Sequence, residues 1–191
     1  GRAADTDTLL EKHGITFILD LADSADDMKG YLKDKDLHSP YTSGLFKSGK
    51  FTGLALSASY QSEDYKKNLA SGLREMLQAG APVYIHCTEG KDRTGFVCLL
   101  LEALAGASYE EMRADYMKTY ENYYSITSEN TPQKYSAIVS LYFDPFLSYL
   151  HRTEDPAAAD YVQDAVDYLL SAGMTREETD RLREFLTQDR Q

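Results

Sequence analysis

YIHCTEGKDRTG, residues 84–95, decides how the rest of the chain is read. The run VYIHC, 83–87, opened by Pro82, has no polar alternation, which predicts a strand buried on both faces. A loop of five residues follows Cys87, with Gly90 in its middle. TGFVCLLLEALAG, 94–106, is apolar nearly all round, which predicts a central buried helix starting near Arg93. This order of strand, short loop and helix gathers backbone N–H groups and a helix N-terminus around one cysteine sulfur.

Such a nest of amides binds a tetrahedral oxyanion. The same field favours a thiolate, so Cys87 is expected to be ionised near neutral pH. Arg93 offers a planar fork that can hold two phosphate oxygens. Thr94 can donate its hydroxyl to the sulfur and help it leave. Together these residues point to phosphoryl transfer through a cysteinyl-phosphate. The competing reading is a core cysteine beside a charged surface loop. The coincidence of cysteine, glycine, arginine and hydroxyl at strand–loop–helix positions argues for the chemical one.

The remaining chain predicts an α/β fold whose C-terminal part is helical. TDTLLEKH, 6–13, reads as a short helix stopped by Gly14, and ITFILDLA, 15–22, as a buried strand. Residues 23–49 read as a short acidic helix passing into a Ser/Pro/Gly/Lys loop, and KFTGLALS, 50–57, as a second strand. Tyr65, Leu69, Leu73, Met76 and Leu77 form a helical stripe ended by Gly80. Ser108 with Glu111, and Thr175 with Glu178, are capping boxes. Pro145 sits inside a helical pattern begun after Pro132, which predicts a kink or break near Asp144. Asp155-Pro156 reads as an N-cap and first-turn pair, Gly173 as a stop, and a last helix runs to about Leu186.

Length suits one domain of 191 residues, with an α/β part to about 130 and a helical part from about 131 to 191. A net charge of −11 argues against nucleic acid and against an anionic membrane surface. Two cysteines are too few for a disulfide framework, and no apolar run reaches the length of a membrane span, so no stable insertion is expected. The chain begins GRA without Met, as an internal or trimmed piece would, which leaves a removed signal peptide open and the compartment unassigned between cytoplasmic and secreted. No cofactor or metal is implied: His13, His38 and His151 are scattered without ligand spacing. Oligomeric state is not legible.

HCTEGKDRTG resembles the HC-x5-R-[ST] signature of the cysteine-dependent protein tyrosine phosphatase superfamily. Its GKDRTG form is more similar to the bacterial branch of tyrosine and phosphoinositide phosphatases than to the eukaryotic enzymes. GITFILDLADS, ASYEEMRADYMKTYENYY and YLLSAGMTREETDRLREFL also resemble that branch, so the likeness covers most of the chain. It implies a small, mostly parallel sheet flanked by helices, with extra helices at the C-terminus. It implies Cys87 as nucleophile and Arg93 as phosphate clamp, with the amides of Thr88, Glu89, Gly90, Lys91, Asp92 and Arg93 as the phosphate cradle. His86 would orient the loop and tune the thiol.

The general acid is the open position. Many superfamily members carry an Asp on a mobile loop about thirty residues before the cysteine; here Ala55 stands at that distance and Asp64 starts a helix. Asp92, just before the arginine, matches the pattern of the bacterial branch and is the acid/base candidate. The alternative for Asp92 is a structural carboxylate pairing Lys91 or a loop amide. Asp20 and Asp23 stand in reserve, with loop-holding or helix-capping as their plainer roles. Lys91 resembles the lysine that meets an extra phosphate in lipid phosphatases, whereas Glu89 and the acidic chain repel a polyanion. The expected partner is therefore a phosphotyrosine protein, with a phosphorylated lipid or small molecule as the alternative. A non-catalytic phospho-binder and a rhodanese-like thiol enzyme are the rivals. Cys98 reads as plain core. Tyr116, Tyr120, Tyr123 and Tyr124 read as a core edge before a pocket wall. The 23–49 segment reads equally as lid or exposed connection, and Glu177-Glu178 as a solvated helix face.

Overall fold

Phe17, Ile18, Leu19 and Asp20 are each at most 3% exposed, and this run forms the middle of a three-stranded sheet. The structure is a computed structural model describing residues 2–34, 39–80, 82–151 and 159–188. The chain divides into two compact units, 1–89 and 90–191.

In the first unit, helix α1 (Arg2–Lys12) precedes strand β1 (Phe17–Asp20). Strands β2 (Phe51–Gly53) and β3 (Val83–His86) flank β1, and both pair with it in parallel. Ile18 stands opposite Phe51 on one side and Tyr84 on the other. A parallel strand buried by neighbours has no need of polar alternation, which explains the continuous apolar run of β1. β3 differs from expectation. Its four residues are half-buried, because it is paired on one side only within this sheet.

Helix α2 (Ala25–Tyr31) is the expected acidic helix, started by a Ser24–Asp27 capping box. The loop expected after it contains a further helix, α3 (Pro40–Lys47), while residues 35–38 lie outside the described ones. α3 has no cap of its own. Asp7 of α1 supplies one: its Oδ2 accepts from the Tyr41 amide at 2.7 Å, and its Oδ1 accepts from the Thr42 hydroxyl at 2.6 Å. A cap borrowed from 34 residues away leaves no local sequence signal. The segment 50–57 is also shorter as a strand than expected. It leaves β2 at Gly53, and Ala55 takes φ +46°, a strained value for a residue with a Cβ. The Leu54 and Leu56 amides still donate to the carbonyls of Asp20 and Leu21 at 2.8 and 2.9 Å. Helix α4 (Glu63–Ala79) packs on β1 and β2 with Tyr65, Leu69, Leu73 and Met76 of the expected stripe buried and Leu77 half-buried.

The second unit is helical. Helix α5 (Arg93–Ala105) is its centre, with Phe96, Val97, Leu99, Leu100 and Leu104 at most 1% exposed. Around it pack α6 (Tyr109–Tyr124), α9 (Tyr161–Ser171) and α10 (Arg176–Thr187). α6 and α10 each begin with the expected capping box. Phe96 meets Phe146 and Tyr168 edge-on at 5.5 and 5.4 Å between ring centroids, a favourable arrangement for aromatic quadrupoles.

Pro145 does not break its helix. α7 (Pro132–Ile138) widens into a π turn at Val139–Phe143 and continues as α8 (Asp144–Leu150). Pro145 has no N–H to give the carbonyl four residues back, and the wider turn absorbs the extra backbone. Asp155-Pro156 lies outside the described residues; α9 is capped by Asp160, which accepts from the Gln163 amide. No described helix is long and apolar enough to cross a membrane.

Candidate active site

The signature spans residues 86–95, so residues 86–89 belong to the first unit and 90–95 to the second, and each part has its own supports. On the first side, β3 delivers His86 and Cys87 beside the end of β1. Asp20 and His86 are register partners on adjacent strands. Asp20 is fully buried. Its Oδ1 accepts from the amides of Ala22 and Asp23 at 2.8 and 3.1 Å, which pins the turn leaving β1. Its Oδ2 lies 3.8 Å from His86 Nε2. The other ring nitrogen, Nδ1, lies 3.4 Å from the Cys87 carbonyl oxygen. Tyr84 stacks on the same ring at 5.0 Å.

On the second side, Gly90 takes φ +70°, a turn that an L side chain resists. α5 starts at Arg93, where the sequence placed it. Asp92 occupies the N-cap position but makes no side-chain cap bond. Its side chain is 56% exposed, and Lys91 Nζ lies 3.7 Å from its Oδ2. The ion pair foreseen as the plainer role of Asp92 therefore exists, but in a solvated setting where it contributes little. The Thr94 hydroxyl is buried without a hydrogen-bond partner, a costly state for a donor unless something accepts from it.

Gly95 sets how closely α6 approaches. A Cβ there would stand 2.7 Å from a ring carbon of Tyr116. Burial holds the Tyr116 and Tyr120 phenols above their ordinary value, and the charge of Asp92 reaches both. Tyr116 and Tyr120 are buried, as a core edge would be, while Tyr123 and Tyr124 are exposed. A groove between α5 and α6 is lined by Gly90, Thr94, Cys98, Glu102, Asp115 and Thr119, among others. Cys98 is thus half-buried at a groove wall and not plain core, a correction to the sequence expectation. In that groove burial, then the charge of Asp115, pushes Glu102 up to about 8. The sequence carried no signal for this carboxyl pair, because the two residues sit on different helices.

Ala55 is exposed, and Asp64 lies in the first turn of α4. His151 is buried against Asp164 at 2.7 Å. His38 lies outside the described residues. Among the described residues no group of three or more His, Cys, Asp or Glu is placed to hold a metal ion. Neither Cys87 nor Cys98 forms a disulfide.

A parallel α/β sheet feeding a glycine-turned loop and a buried helix defines a class, and the whole chain bears it out. Residues 2–188 match the model of the tyrosine phosphatase family, and the chain belongs to that family. Over 49 residues it is 41% identical to a protein of Cupriavidus necator named as a candidate tyrosine-protein phosphatase. Over 47 residues it is 43% identical to the triple specificity protein phosphatase PtpB of Mycobacterium tuberculosis. These matches cover 26% and 25% of this chain, and 18% and 17% of the relatives.

Proposed function

We propose that the chain hydrolyses phosphate monoesters, with protein phosphotyrosine as substrate, in a single domain built on the 87–93 loop. The strand–loop–helix setting of Cys87 and Arg93 is the observation that carries this reading. Cys87 Sγ attacks phosphorus while the bond to the leaving oxygen breaks. Asp92 gives that oxygen its proton. Arg93 and the amides of Thr88, Glu89, Gly90, Lys91, Asp92 and Arg93 hold the equatorial oxygens, where charge is held through the transition state. Water then attacks the cysteinyl-phosphate, Asp92 takes its proton, and the thiolate leaves. The partnerless Thr94 hydroxyl supports a donor role towards that thiolate. The exposure of Asp92 supports its role too, since an acid must reach both substrate oxygen and water.

Lys91 favours a second reading, a phosphoinositide or inositol-phosphate substrate with one further phosphate. The Mycobacterium relative is named for triple specificity. Against it stand Glu89 in the loop and a net charge of −11. A panel of a phosphotyrosine peptide and a phosphoinositide decides between them. The expected result is faster turnover of the peptide, lost by about 10³-fold or more in Cys87→Ser. A Cys87→Ser protein as fast as wild type overturns the cysteine mechanism; faster turnover of the phosphoinositide overturns the substrate.

A further inference from the structure

We infer that Asp20 is a positioning residue for this chemistry, acting on Cys87 through His86. The inference rests on the proposed cysteine mechanism. A buried carboxylate is costly unless each oxygen is matched by a donor or cation. The turn after β1 accounts for Oδ1, through the amides of Ala22 and Asp23. It leaves Oδ2 buried with no hydrogen bond. The group facing Oδ2 is the imidazole of His86, at 3.8 Å. A capping role alone would be met by one oxygen, so the second marks an interaction with the ring.

His86 is held from several sides. Asp20 faces Nε2, the Cys87 carbonyl faces Nδ1, and Tyr84 stacks on the ring. The rigid link is the sheet itself, since Asp20 and His86 are register partners. His86 immediately precedes the nucleophile, so the ring's orientation and its field act on the thiol at short range. The chain Asp20–His86–Cys87 thus links a buried carboxylate on the first strand, through the ring, to the residue that carries the reacting sulfur; positive charge that a carboxylate draws onto a ring favours a neighbouring thiolate.

The test reads Cys87 itself, by mass-spectrometric mapping of its alkylation with iodoacetamide from pH 5 to 9. Asparagine at position 20 keeps an oxygen for the two amides and removes the charge. Asp20→Asn is expected to lower the Cys87 alkylation rate at pH 6 about tenfold and to move the midpoint of the profile upward. In a His86→Asn background the same change should have no further effect. If Asp20→Asn does not fold, His86→Asn alone must move the midpoint in the same direction. An unchanged midpoint, or full additivity of the two substitutions, overturns the inference. Alkylation needs no phosphate ester, so a wild type without turnover sinks the proposed function and still leaves Asp20 tested.

Discussion

His86 and Asp92 lie toward opposite ends of the signature loop, and they are held in opposite ways. His86 is fixed by a sheet register, a buried carboxylate, a carbonyl and an aromatic ring. Asp92 stands more than half exposed at a helix N-cap that it does not cap, beside Lys91. Under the proposed mechanism the contrast separates two tasks. A group that sets the nucleophile's electrostatics gains from rigidity, because a preorganised dipole needs no rearrangement during reaction. A group that gives a proton to one oxygen and takes it from another gains from room to turn.

The strongest way to break this contrast is to remove the exposed end. Asp92→Asn is expected to lower kcat about 10²- to 10⁴-fold with phosphotyrosine or alkyl phosphates. With p-nitrophenyl phosphate, whose leaving group needs little protonation, the loss should be much smaller. Steady-state kinetics across a leaving-group series checks this, and a loss independent of leaving group sinks the acid assignment.

Gly95→Ala strains the helix that carries Asp92 while leaving the His86 side untouched. The added methyl meets the buried Tyr116 ring, which is packed against Phe143 and Phe146 and has little room to retreat. Overpacking of this kind costs about 1–3 kcal/mol, which a denaturant titration would read as a lower midpoint. An unchanged midpoint would mean that α6 moves away freely.

The smallest effect sharpens the comparison through pH. Glu102 is held at about 8 against an ordinary 4.5, chiefly by burial. The folded chain therefore binds more protons than the unfolded one between those values, and stability falls as pH rises from about 4.5 through about 8. Glu102→Gln should flatten that slope by about 1–2 kcal/mol, after allowing for solvent screening of a partly exposed pair. Thermal unfolding at pH 5 and pH 8 checks it, and an equal slope in both proteins would remove Glu102 as its source.

Much of this was legible in the chain because the signals are local. Capping boxes at Ser108 and Thr175 span four residues each, and the glycine turn and helix start of the signature lie within one loop. The periodicity of α4 and the all-round apolarity of α5 are sums over a single helix. What escaped was long-range or depended on neighbours. α3 needs Asp7, β3 is half-buried where only one of its edges is paired among the described residues, and Cys98 is half-buried because a groove opens beside it. Pro145 was visible, but the π turn that precedes it, with Val139 and Phe143 buried, was not.

The sequence alone determined the loop and helix around Cys87 and Arg93, since hydrogen bonds and an apolar face within a few residues specify them, and it marked β3 by its apolar run. Only the tertiary structure brought Asp20 to His86 across 66 positions of chain and left one carboxylate oxygen for the ring. Pairing between parallel strands sets that meeting, and its register is decided by which residues the sheet can bury, not by any spacing along the chain.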